Sequence, residues 1–198
     1  MNKTTLARRA YDWVLHWSET KYGMPALFLI AFIESSVFPI PPDVLLIALA
    51  FGAPTKAFRF ALACTIGSVL GGMFGYFIGM AFYGVIGIRI LEFYGFLDKF
   101  SMAKGLYDKY DVWIVAIAGF TPIPYKVFTI ASGVFGMNFP EFVLVSFFSR
   151  GARFYIVAAL IWKFGQPIKN FIDKYFNILS VAFIVILILG FILVKMLF

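Results

Sequence analysis

The chain has 198 residues, 62% of them hydrophobic and 14% charged, with a mean hydropathy of +0.92. A soluble domain is about half apolar and about a quarter charged, and at this length it would have to expose large contiguous apolar surface, so a water-soluble globular fold is excluded and a polytopic membrane protein is expected. The net charge of +7 does not call for nucleic acid, because the basic residues fall in short segments between apolar runs, where membrane proteins use them to set orientation.

Residues 1–23 are mixed polar and aromatic and predict an amphipathic helix at the interface. Tyr11, Val14, Leu15 and Trp17 would face lipid, and Lys3, Arg8, Arg9, Asp12 and Glu19 water. The segment lacks the continuous apolar core of a signal peptide, and its His16 reads as an interfacial side chain. Residues 24–53 are strongly apolar but interrupted by Pro39, Pro41 and Pro42, each lacking an amide donor and disfavouring helix in the residue before it. The two arms, roughly 21 and 16 Å long at 1.5 Å per residue, are each shorter than the ~30 Å hydrocarbon core. They predict a re-entrant hairpin, with one kinked span as the alternative.

Residues 57–84 predict a full span with Gly67, Gly71, Gly75 and Gly79 on one face, a seam along which a partner helix packs closely and can slide. Cys64 lies within it and reads as packing. Residues 86–111 alternate charged and apolar side chains and predict a pair of surface helices. Residues 112–137 repeat the broken pattern around Pro122 and Pro124. Pro140 opens a further span to about Phe164, with Asn138 as its cap. A basic loop leads to a featureless apolar anchor over 177–197. Three parts result: 1–23, a membrane domain over 24–165, and a loop with anchor over 166–198.

The stretch Pro39 to Ala48 matches Pro122 to Ala131 at six of ten positions, 83 residues apart. If both are hairpins, the single span between them opens them to opposite sides of the bilayer, an inverted repeat of the kind transporters use. The expected fold is therefore all-α: an inverted repeat of two re-entrant hairpins, about three full transmembrane helices and the N-terminal amphipathic helix. Lys3, Arg8, Arg9, Lys21, Lys56, Arg59, Lys163, Lys169 and Lys174 then share one side, which would be cytoplasmic.

Five ionisable residues fall at membrane depth: Glu34, Asp43, Lys126, Arg150 and Arg153. Each costs at least ~2.5–3 kcal/mol there and should face a partner or a cavity. Ser146, Ser149, Arg150 and Arg153 share one helical face, so this stripe turns inward. Three cations against two carboxylates leave one positive charge, which suits a phosphate or carboxylate passenger. Lys126, Arg150, Arg153 and Ser149 are the candidate substrate-binding residues; Glu34, then Asp43, are the candidate proton carriers. The competing reading is that the five charges only neutralise one another and lock the bundle.

At these residues the sequence resembles the DedA family, also known by its VTT or SNARE-associated-Golgi domain, and within it a YqaA-like branch. The resemblance rests on Glu34 and Asp43 flanking the first proline break, Gly52, the block Gly67 to Gly79 with Tyr76, and Pro122 to Lys126 followed by Gly133. It departs where the family often carries an arginine, at Gly119, where a second arginine is replaced by Lys126, and where an aspartate is replaced by Gly72. The resemblance implies lipid transport or scrambling, including polyprenyl phosphate recycling, coupled to protons, in a bacterial inner membrane. A membrane lipid is the expected partner, with protons as coupling ion and a homo-oligomer left open; no cofactor, metal or enzymatic activity is expected. Small-solute transport and a non-transporting assembly role remain the alternatives.

Overall fold

The computed structural model describes residues 22–36, 41–93, 97–121, 123–165 and 167. The interfacial helix expected before Tyr22, Pro39, Pro122 and the C-terminal anchor lie outside them. The described residues are almost all helical, with no strand among them.

Helix α1 spans Gly23–Ser36 and α2 Pro42–Gly52. Pro41 caps α2 and Pro42 opens it, where a missing amide costs nothing because that donor would be orphaned anyway. A 3-10 turn, Pro54–Lys56, leads into α3, Ala57–Phe82, which ends in a wide π-helical turn at Tyr83–Gly87. Helix α4 is Ile88–Phe93, α5 Leu97–Phe120, α6 Tyr125–Phe135 and α7 Phe139–Gly165. Asn138 caps α7 as expected, its Oδ1 accepting the Glu141 amide at 3.2 Å. Gly136, at φ 73°, ends α6 in the left-handed conformation that favours glycine.

The surface pair expected over 86–111 does not stop at 111. Asp111 accepts the amide of Val112, and α5 runs through it to Phe120. Nothing in 112–120 breaks the helix, so the charged segment and the apolar arm form one rod.

Both post-break helices are 11 residues long, and 125 follows 42 by 83 residues, as 135 follows 52. The contacts fix their directions. Gly67 of α3 lies against Phe28 of α1 and Gly71 against Phe32, so α1 and α3 run parallel. On α7, Gly151 lies by Thr65, while Phe142 and Phe139 pack on Tyr76, so α7 runs antiparallel to α3. Helix α5 places Tyr107 on Ser132 and Lys104 on Phe135, opposite in direction to α6. The two long helices that the repeat equates, α3 and α7, thus point opposite ways.

The glycine seam on α3 is shared between two partners. Gly67 and Gly71 meet α1, whereas Gly75 and Gly79 meet Thr129 and Ile130 of α6. A Cβ at Gly71 or Gly79 would overlap a backbone carbonyl, so these positions set the interhelical spacing. Away from the seam, Leu62, Ile66, Leu70, Phe74 and Phe77 of α3 are exposed, as are Leu144, Phe147, Phe148 and Ile156 of α7. This apolar belt surrounds a core that buries Arg150, Thr65, Ser68 and Thr129. Helices α3 with its flanking turns, 32 residues, and α7, 27 residues, are long and apolar enough to cross a bilayer.

Candidate functional site

Arg150 projects from the middle of α7 and is 1% exposed. Its Nη2 donates to Glu34 Oε2 at 2.8 Å and its Nε to Ser68 Oγ at 2.6 Å. Ser68 and Ser35 hydroxyls lie 2.6 Å apart, and Ser35 Oγ reaches Glu34 Oε2 at 3.1 Å. The four side chains close a ring, and its donor directions follow from chemistry. A guanidinium only donates and a carboxylate only accepts. Ser68 therefore accepts from Arg150 and donates to Ser35, which donates to Glu34. The guanidinium also lies 5.0 Å from the ring centre of Tyr125 and 4.8 Å from that of Phe154, whose π faces stabilise a desolvated cation.

One turn further on, Arg153 grips Asp43 with two parallel bonds, Nη2 to Oδ2 at 2.6 Å and Nε to Oδ1 at 3.2 Å. Its Nη1 donates to the Thr121 carbonyl at 2.7 Å. Asp43 lies in the first turn of α2 and Thr121 just beyond the end of α5, so one guanidinium ties the two proline breaks together.

Ser68 is about 17 Å along α3 from Ala57 and about 21 Å from Phe82 at 1.5 Å per residue, so both arginine pairs sit near mid-depth of a span. Ion pairs there offset the cost of placing charge in hydrocarbon.

Further hydroxyls bind the repeats. Tyr125 donates to Ser146 of α7, and Thr129 shares its one hydroxyl proton between the Lys126 carbonyl at 2.9 Å and the Ser35 carbonyl at 3.3 Å, the latter an orphan acceptor at the end of α1. Two of the three departures noted in sequence, Gly119 and Gly72, have a steric account. A Cβ at Gly119 would run into Ser149 Oγ and come 3.6 Å from Arg150 Cγ, so α7 occupies the room a larger residue would need. A Cβ at Gly72 would lie 3.3 Å from the Tyr125 hydroxyl, which fills that space.

Of the residues expected at the site, Glu34, Asp43, Arg150 and Arg153 converge in two pairs. Lys126 follows Tyr125 in the first turn of α6 and is half-buried. Ser149 turns to the Ser146 carbonyl at 3.4 Å and to Gly119, away from the hydroxyl ring. Pro41 and Pro124 cap α2 and α6, as breaks should. Sequence reading missed Ser35, Ser68 and Tyr125. Only the presence of a hydroxyl on the glycine-lined face of α3, and another beside Glu34, marked two of them. No group of three or more His, Cys, Asp or Glu that could hold a metal occurs among the described residues.

Broken and short helices around paired charges, wrapped in an exposed apolar belt, define a polytopic integral membrane protein. The VTT domain matches residues 40–163, and the chain belongs to this family, the DedA family. It is 37% identical over 186 residues to an uncharacterized protein of Haemophilus influenzae, covering 93% of this chain and 96% of that one. It is 27% identical over 135 residues to an uncharacterized protein of Methanocaldococcus jannaschii, 67% of this chain and 79% of that one. A third relative, 26% identical over 155 residues (74% of this chain and 71% of its own length), is undecaprenyl phosphate transporter A of Staphylococcus aureus. No solved structure matches.

Proposed function

We propose that this chain is a non-enzymatic membrane transporter that carries an anionic lipid headgroup, a polyprenyl phosphate or a phospholipid, between leaflets. The observation that carries the reading is the crossed pairing at mid-depth: Arg150 and Arg153 of α7 held by Glu34 and Asp43 around the first break. A guanidinium that binds a carboxylate through two parallel bonds binds a phosphate in the same way. The passenger phosphate takes the place of a carboxylate on the arginine, and the released carboxylate takes up a proton. Glu34 and Asp43 are thus the coupling groups, Arg150, Arg153 and Lys126 the cationic lining. The named activity of the Staphylococcus aureus relative supports a phosphorylated lipid as cargo.

The opposed directions of α3 and α7, and the short helices α2 and α6, support two re-entrant hairpins opening to opposite faces. The start of α3, with Lys56 and Arg59, lies beside the end of α7, with Lys163, through the Phe58–Trp162 contact. That basic side is taken as cytoplasmic, in a bacterial inner membrane, with residues 1–23 on it as an interfacial helix and 166–198 as loop and anchor.

The neutralised pairs favour one competing reading, an assembly factor whose charges only lock the bundle. Proteoliposomes separate the two. Glu34→Gln, Asp43→Asn and Arg150→Ala should insert at native levels yet lose movement of a labelled lipid phosphate. Parallel loss of protein and activity supports the lock, and uptake of soluble phosphate without lipid movement supports a solute transporter.

A further inference from the structure

Each arginine of α7 touches both breaks, in crossed order. Arg150 bonds Glu34, in the last turn of α1 before the first break, and lies over the ring of Tyr125, which opens α6 after the second. Arg153 bonds Asp43, in the first turn of α2 after the first break, and the Thr121 carbonyl before the second. Three of these four contacts are made through hydrogen bonds; the fourth is an aromatic face.

The Tyr125 ring is fully buried and fixed at both ends. Pro124 caps the helix that starts with it, and its hydroxyl donates to Ser146 of α7. Ser146 stands four residues before Arg150 on the same helical face, so the ring lies along the turn from which the guanidinium projects. Gly72 of α3 leaves the room the ring needs, since a Cβ there would come 3.3 Å from its hydroxyl. One turn further along α6, Thr129 bonds the Ser35 carbonyl, next to Glu34. Phe154 also faces the guanidinium, at 4.8 Å, but it stands on α7 and moves with Arg150. Tyr125 reaches it from another helix.

With Glu34 bound, or a phosphate in its place, the guanidinium has an anionic partner. Between the two, the groups left to hold it among the described residues are Ser68 and the two rings. A cation in an apolar surround gains most from a π face when no anion pairs it. An interaction stronger at that point than in either bound state raises the maximal rate and leaves affinity unchanged.

We infer that Tyr125 is a positioning residue: its ring face holds Arg150 in place while Glu34 gives way to the anionic headgroup, and so ties that exchange to the start of α6. The inference deepens the transport reading and rests on it for the exchange; the hold on Arg150 rests on the geometry.

The test replaces Tyr125 in the full chain by phenylalanine, then by mono-, di- and trifluorophenylalanine. Fluorine withdraws charge from the ring face and barely alters its shape, so the series weakens the cation contact selectively. In liposomes, Tyr125→Phe keeps the ring and should keep most of the native movement of a labelled polyprenyl phosphate. Across the fluorinated series the maximal rate should fall stepwise, by about tenfold in all, at constant KM. Trifluorophenylalanine at Phe142, equally buried but packed on Tyr76, should change neither. A flat series, or a change in KM in place of rate, overturns the role. So does a Tyr125→Phe protein as slow as the trifluoro one, which would assign the effect to the Ser146 bond. A second measurement needs no transport. Fluorination should lower the melting temperature in detergent, and lower it further in Glu34→Gln, where the guanidinium lacks its carboxylate; equal shifts in the two backgrounds overturn the hold. A protein that shows this coupling yet moves no lipid phosphate retires the transport reading and keeps Tyr125 as the holder of Arg150.

Discussion

Arg153 holds Asp43 with two nitrogens and the Thr121 carbonyl with a third, so one side chain on α7 joins the start of α2 to the end of α5. Both partners of the ion pair are mostly shielded, at 17% and 20% side-chain exposure. Removing one leaves the other charged in an apolar surround, at a cost on the order of 3 kcal/mol. Arg153→Gln and Asp43→Asn should each insert at native levels but melt at a lower temperature in detergent, and the double variant should be less damaged than the sum of the two. Additive losses in that double-mutant cycle would show that the pair is not coupled. Arg153→Lys, which keeps charge but loses the fork, should keep most of the stability and lose at least tenfold in lipid-phosphate movement.

The hydroxyl ring makes a separate expectation. Ser68→Ala removes the acceptor of the Arg150 Nε proton in a fully buried place, costing about 1–3 kcal/mol. Ser35→Ala should cost less, because Glu34 keeps its bond from Arg150. Chemical denaturation of the two variants side by side gives the order; the reverse order would contradict the donor directions assigned to the ring.

Much of the frame was legible before any coordinates, and the reason lies in the prolines. Pro41 and Pro124 stop helices by local chemistry, so α2 and α6 begin where the sequence repeat places them, with the same length and offset. The pairing of charges was not legible. Glu34 and Arg150 are 116 residues apart, and periodicity says only that each must turn inward, not toward which partner. Ser35 and Ser68 look like ordinary small residues of membrane helices until Ser68 is seen bonded to the Arg150 guanidinium and Ser35 to Ser68 and Glu34. The length of α5 was misread because the chain was divided at 111, where charged composition gives way to apolar, although one helix runs across that boundary.

Glycine positions should divide sharply. Gly133→Ala places a Cβ on the Tyr76 carbonyl of α3, and Gly79→Ala one on the Ile130 carbonyl, where backbone must move. Both should reduce folded yield severalfold, as small residues at membrane-helix contacts set the approach distance. Gly105→Ala meets no neighbouring atom and should be neutral or slightly stabilising in α5. Fluorescence size-exclusion of tagged variants reads this directly, and a damaged Gly105→Ala would count against the packing described.

If Glu34 gives up its bond to Arg150 by taking a proton, transport in liposomes should vary with pH in the native protein and far less in Glu34→Gln. The same flattening should not appear in Ser149→Ala, because Ser149 bonds the Ser146 carbonyl and stands outside the ring. A Glu34→Gln protein that transports with the native pH profile would remove Glu34 from the coupling and leave Asp43 to be tested in the same way.

Opposed hairpins make a demand on access that no kinked span would meet. Cys64 is fully buried in α3, so the native chain should be silent to water-soluble thiol reagents within the described region. Pro41→Cys and Ile123→Cys introduce one reporter at each break. On the proposed reading, with α3 and α7 pointing opposite ways, the two breaks belong to arms that enter from opposite sides. Reagent added outside sealed, oriented vesicles should therefore modify one reporter, and reagent reaching only the lumen the other. Lys56→Cys and Lys163→Cys should react together from a single side, since the start of α3 lies beside the end of α7 through Phe58 and Trp162. Reaction of both break reporters from that same side alone would mean the repeat is not inverted in the membrane, and the exchange of carboxylate for phosphate would then lack a route to the second leaflet.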